Sequence, residues 1–154
     1  MTQRILIICP EPAKIESLGR VLRAAGFEVL YAKAGARDLP QLCDRHVDLL
    51  VLDLDWPKDR AWETAEVFGR FYLLPPVIGI TSRPGQFEHA AALGVDFLLE
   101  KPLNYAHLLG TIYTLLNQFA RERRMDRLVP WMGSPLSGAG RPHRPTKQAV
   151  ASPW

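Results

Sequence analysis

The residues of this 154-residue chain best suited to chemistry are a carboxylate, a hydroxyl and an amine. Each lies at the end of a short apolar run: Asp53 after residues 49–52, Thr81 after residues 77–80, and Lys101 just beyond residues 97–99. A carboxylate can accept a phosphoryl group as an acyl phosphate. An ammonium supplies fixed positive charge for phosphate oxygens, and a hydroxyl donates one hydrogen bond to them. Asp55 adds a second acid to the first of these ends. Each residue also has an ordinary explanation. Acids are common turn residues, a lysine before a proline can be a solvated loop residue, and a threonine at a strand end is unremarkable. Their shared placement at strand tips is what favours a site.

The elements that would carry these groups follow from hydrophobic spacing. Four consecutive apolar residues at 49–52, halted by acids and then Pro57, suit a strand buried on both faces of a parallel sheet. Residues 4–9 make a second such run, ended by Pro10 and Pro12, and residues 27–32 a third. Between them Ile15, Leu18, Leu22 and Ala25 recur at helical spacing, with Lys14, Glu16, Arg20 and Arg23 on the other face and Gly26 as a left-handed stop. Asp38 and Pro40 suit the start of another helix with Leu39, Leu42 and Cys43 buried, and a third carries Trp62, Ala65, Val67 or Phe68, and Phe71. Residues 77–80 and 97–99 are further short strands, with a helix ending at Gly94 between them. From Asn104 as cap, Tyr105, Leu108, Ile112, Leu115 and Phe119 trace one face of a long helix. Five strands alternating with five helices predict one parallel sheet covered on both faces. The carboxyl edge of such a sheet is where ligands gather.

Composition is that of a globular chain: 47% hydrophobic and 23% charged residues, enough for a real core in one domain. No apolar run approaches a membrane span, and the first ten residues are too little apolar for a signal peptide, so a cytoplasmic protein without membrane attachment is expected. Cys9 and Cys43 lie far apart, which predicts neither a disulfide nor a zinc site. The net charge of +3 is uneven. From residue 121 onward seven basic residues face Glu122 and Asp126, leaving twelve basic and fourteen acidic residues in 1–120. The folded part therefore does not read as a nucleic-acid binder by charge.

Over roughly residues 3–120 the chain resembles the receiver domain of bacterial response regulators. The matching residues are Asp53 with Pro57 four positions on, the strand ending in Thr81, and the stretch from Gly94 to Lys101–Pro102. The resemblance implies a flavodoxin-like five-stranded parallel sheet of order 2-1-3-4-5. It also implies Asp53 as phosphoacceptor, with Thr81 and Lys101 contacting the phosphoryl group.

Departures from the family pattern concern metal and switch. Where receivers carry two consecutive acids after the first strand, this chain has Cys9 and Pro10, with Glu11 one position late. Neither Cys nor Pro is a hard oxygen ligand, so the Mg²⁺ of the family is in doubt, with Glu11 or Asp55 as substitute ligands. Leu98 stands where an aromatic switch residue is usual. Phe97, offset by one, should point to the opposite face. The segment from Thr81 to Gly94 is shorter than usual, and Ala61 stands where a turn glycine is common. Such changes accompany receivers that act as constitutive binding modules.

Residues 121–154 read as a basic tail rich in Pro and Gly, in which 121–128 extend the last helix. A mobile, solvated segment is the simpler reading for it, against a docking or nucleic-acid motif built on Trp131 and Trp154. The expectation is a stand-alone receiver-like domain over residues 1–120, a signalling protein and not an enzyme. It would act by binding a histidine kinase or another signalling protein, with Asp53 as candidate phosphoacceptor and a degraded metal site. A fully competent phosphoacceptor is the first alternative. A flavodoxin-like ligand-binding or enzyme domain is the second, weakened because no glycine-rich phosphate loop follows Cys9.

Overall fold

The structure, a computed structural model, describes residues 2–33, 46–55, 75–92 and 94–128. Expectations at Asp38, Leu39, Pro40, Leu42, Cys43, Pro57, Ala61, the helix from Trp62 to Phe71, and Trp131 and Trp154 lie outside these residues.

Five parallel strands form one sheet: β1 Arg4–Ile8, β2 Glu28–Ala32, β3 Leu49–Asp53, β4 Val77–Thr81 and β5 Phe97–Glu100. Their spatial order is β2-β1-β3-β4-β5, as expected for a doubly wound receiver-type fold. Every residue of β3 and β4 is buried, which is why these central strands read as unbroken apolar runs and not as alternating ones.

Side-chain alternation divides the core into two layers. Ile5, Ile7, Leu49, Val51, Ile78, Ile80 and Leu99 face one side, packed with Leu18 and Leu22 of helix α1 (Glu16–Ala24) and Leu108, Ile112 and Leu115 of helix α3 (Tyr105–Leu128). Leu6, Ile8, Leu50, Leu52 and Leu98 face the other, packed with Ala90 of helix α2 (Phe87–Ala92). Helices thus cover both faces. Phe97 and Leu98 fall on opposite sides, and Phe97 lies against His107 with ring centroids 6.0 Å apart.

Helix α1 follows a short 3₁₀ turn at Pro12–Ile15 and ends in a Schellman motif. The Phe27 amide donates to Leu22 and the Gly26 amide to Arg23, with Gly26 at φ +94°. That left-handed backbone is open to glycine at little cost, and Phe27, buried like Leu22, immediately precedes β2. Helix α3 begins as its sequence suggests, with Asn104 Oδ1 accepting the His107 amide at 3.1 Å. It runs on to Leu128, across residue 120, where the composition changes.

Two aspartates fix strand register. Asp48, just before β3, accepts the Arg4 amide on its side chain at 2.8 Å and returns its own amide to the Arg4 carbonyl at 2.9 Å. Asp96, just before β5, makes the same reciprocal pair with Val77, both bonds being 2.8 Å. At the opposite edge the ladder continues past the strands, through Leu54 N–H to the Ile80 carbonyl and Lys101 N–H to the Thr81 carbonyl, both 2.8 Å. The chain ends carrying Asp53, Thr81 and Lys101 are therefore held side by side.

Candidate functional site

At the carboxyl edge, β3, β4 and β5 each deliver a polar group. Asp53 is 4% exposed and Thr81 1%, among the few buried polar residues of the described chain. Burial of a carboxylate demands partners, and Asp53 has them. Lys101 Nζ donates to both of its oxygens at 3.2 Å, and the Asp55 amide donates to Oδ1 at 2.9 Å. The bond from the Asp55 amide closes the turn that leaves β3.

Asp55 has a larger share of the site than its distance from the strand suggests. Its Oδ2 lies 2.9 Å from Lys101 Nζ, closer than either oxygen of Asp53. Its Oδ1 accepts the Thr81 hydroxyl at 3.1 Å, and both oxygens lie 3.0 Å from the Ser82 amide nitrogen. The Thr81 oxygen in turn accepts the Arg83 amide at 3.1 Å. Partial burial works against ionisation of Asp55, yet the bonds from Lys101 and Ser82 prevail and hold its carboxyl at about 2. Burial likewise works against the charge on Lys101, but its bond to Asp55 and the nearby charge of Asp53 prevail and raise its pKa above the ordinary lysine value. The result is one ammonium shared by two carboxylates.

Cys9, at the end of β1, is fully buried on the same face as Val51. Burial first, and the negative charge of Asp53 second, push its thiol up to about 11. Burial and a raised pKa leave it a neutral thiol of low reactivity.

Asp53, Thr81 and Lys101, expected to form the site, stand together. Glu11 does not join them: it is exposed and paired with Lys14 at 3.2 Å. Asp55 joins them on the side of Lys101, Thr81 and Ser82, as an acceptor of hydrogen bonds and not as part of an oxygen set with Glu11. Among the described residues, no group of three or more His, Cys, Asp or Glu is placed to hold a metal ion. Cys9 is a neutral thiol, and the Asp53 and Asp55 carboxylates both face the Lys101 ammonium. This arrangement does not fit Mg²⁺, which requires several hard oxygens in near-octahedral array. The Ser82 amide escaped sequence reading because a backbone donor leaves no residue signature.

No described helix is long and apolar enough to cross a membrane. No protein-family model matches the chain. The chain is 30% identical over 117 residues to the transcriptional regulatory protein CpxR of Escherichia coli K12, covering 75% of this chain and 50% of that protein. It is 31% identical over 131 residues to the response regulator MprA of Mycobacterium bovis, covering 84% of this chain and 57% of that protein. The chain thus spans about half the length of the curated relatives it matches. Among solved structures, a CheY-like response regulator receiver domain protein from Methanospirillum hungatei superposes with a TM-score of 0.69 at 25% identity, covering 79% of this chain and 99% of that one.

Proposed function

We propose that this chain, whose homologues and structural neighbours are response regulator receiver domains, serves as a receiver-type module of two-component signalling in the cytoplasm. It works by binding a partner, a histidine kinase or another signalling protein, and not as an enzyme. Asp53 is its candidate phosphoacceptor, Thr81 and Lys101 are the groups that would contact a phosphoryl group, and the metal half of the site is degraded. The observation that carries this reading is the convergence of Asp53 and Lys101, with Nζ 3.2 Å from both carboxylate oxygens, at the carboxyl edge of a 2-1-3-4-5 sheet.

The chemistry is a displacement at phosphorus. An Asp53 oxygen forms the new bond to phosphorus while the bond from phosphorus to the donor breaks, the leaving group taking the electron pair. Lys101 offsets part of the charge on the transferring oxygens. A divalent ion would ordinarily add several kcal/mol of charge stabilisation, and Cys9 and Pro10 cannot hold one.

The test is labelling by acetyl phosphate with Mg²⁺, read by intact mass and site mapping. The wild type should label slowly. The double variant Cys9→Asp/Pro10→Asp, confirmed as folded by circular dichroism, should label faster, and adding Asp53→Asn should abolish the signal. A folded double variant that never labels at Asp53 would overturn the phosphoacceptor reading. Rapid wild-type labelling confined to Asp53 would make the chain a fully competent phosphoacceptor.

A further inference from the structure

Three donors from two strand ends converge on a single anion that belongs to the chain itself. The Thr81 hydroxyl and Ser82 amide leave the end of β4, and the Lys101 ammonium leaves the end of β5. A hydroxyl, a backbone amide and an ammonium aimed at one point are the equipment for holding an oxyanion. The acceptor at that point is the Asp55 carboxylate, with both oxygens engaged. Its side chain is only 19% exposed, so solvent contributes little to its solvation.

We infer that Asp55 is the resident ligand of an oxyanion pocket formed by Thr81, Ser82 and Lys101, and that this pocket takes one tetrahedral oxyanion of the phosphate class once Asp55 is neutralised or displaced. The inference rests on the reading of this edge as a phosphoryl-group site, and it adds a role for Asp55 that the metal-ligand expectation does not contain. Two physical consequences follow. An incoming phosphate-class anion must compete for donors already satisfied, and it meets two carboxylates balanced by a single ammonium. The Thr81 hydroxyl, meanwhile, is engaged with an anion without any covalent change at Asp53, so the pocket stays filled for as long as the Asp55 carboxylate remains ionised and in place. That suits a module whose partner surface is constitutive.

The probe is inorganic phosphate, titrated into the full chain and followed by amide NMR at Thr81 and Ser82. Asp55→Asn and Asp55→Ala should show saturable shifts at phosphate concentrations at least about tenfold below those needed by the wild type, as expected when a like charge and an internal competitor are removed together. Glu11→Gln changes net charge equally but lies outside the pocket, and should behave as the wild type. Equal gain in Glu11→Gln, or no gain in either folded Asp55 variant, overturns the inference. In the wild type the Ser82 amide resonance should follow Asp55 protonation, and an amide indifferent to it overturns the inference even if both variants fail to fold. The readout is separate from covalent chemistry. Phosphate binding gained in Asp55→Asn, with Asp53 never labelled, would sustain the pocket and sink the phosphoacceptor. Labelling at Asp53 with unchanged phosphate binding would do the reverse.

Discussion

Lys101 Nζ lies 2.9 Å from Asp55 and 3.2 Å from either oxygen of Asp53, so the lysine at the end of β5 is closer to the second acid than to the candidate phosphoacceptor. Only Leu54 separates the acids in the chain, and one cation from 46 residues beyond Asp55 serves both. The electrostatics of the site are those of a shared pair, and removing any member changes the other two.

Acid should weaken the fold through Asp55. Its carboxyl sits at about 2 in the folded chain, against ~3.9 for an open chain. Between those values the unfolded chain binds more protons, so the stabilisation is fully present above the open-chain value and is lost as pH falls toward 2. Urea unfolding from pH 6 to pH 2 should show a loss in the wild type that is smaller in Asp55→Asn; parallel profiles would contradict the assignment.

Lys101→Met should leave two neighbouring carboxylates without their ammonium. Stability should fall by about 1.5–3 kcal/mol, the usual worth of hydrogen bonds to charged groups. The Asp55 carboxyl, followed by carbon NMR, should rise from about 2 to the ordinary carboxylate range or above. A carboxyl that stayed near its wild-type value would mean that Thr81 and Ser82 suffice to hold it.

Cys9 should resist thiol reagents. In a Cys43→Ser background at pH 8, the folded chain should react far more slowly than the urea-unfolded one, because the thiol is fully buried and raised from 9.0 to about 11. Since the unfolded chain ionises this thiol first, stability should decline as pH climbs from 9 toward 11. Fast modification of the native chain would show that β1 opens readily at its end.

Ile112 links α3 to the sheet and is fully buried. Ile112→Ala should cost about 2–5 kcal/mol in urea unfolding, from lost burial and the cavity left behind. A loss under about 1 kcal/mol would mean that the helix closes over the gap.

Gly26→Ala tests the turn into β2. An alanine at φ +94° should cost about 1–2 kcal/mol by sterics at the left-handed backbone. Space is not the issue, since an added Cβ meets nothing within 4 Å.

Local physics made much of this protein legible from its sequence. The unbroken apolar run at β3 suits a strand buried on both faces, β4 reads as a further short strand, and the spacing of Leu18 and Leu22 specified the inner side of α1. Gly26 and Asn104 marked ends through backbone preferences that act within a few residues. The same alternation separated Phe97 from Leu98 before any packing was known. Asp53, Thr81 and Lys101 could be assigned to one edge because parallel strands with short connections bring their carboxyl ends together. What Asp55 does was another matter. By sequence it reads as a substitute metal ligand, with Glu11 as the other candidate, since both are acids near the right loops. In the structure Glu11 turns to Lys14, three residues away, while Asp55 is drawn to a cation and a hydroxyl supplied by two other strands. An acid's partner is set by which charge the tertiary register brings within hydrogen-bond reach, and the decisive donors here were a distant ammonium and the backbone amide of Ser82. Coulombic attraction and desolvation act through space, so only the paired strand tips decided where that carboxylate would point.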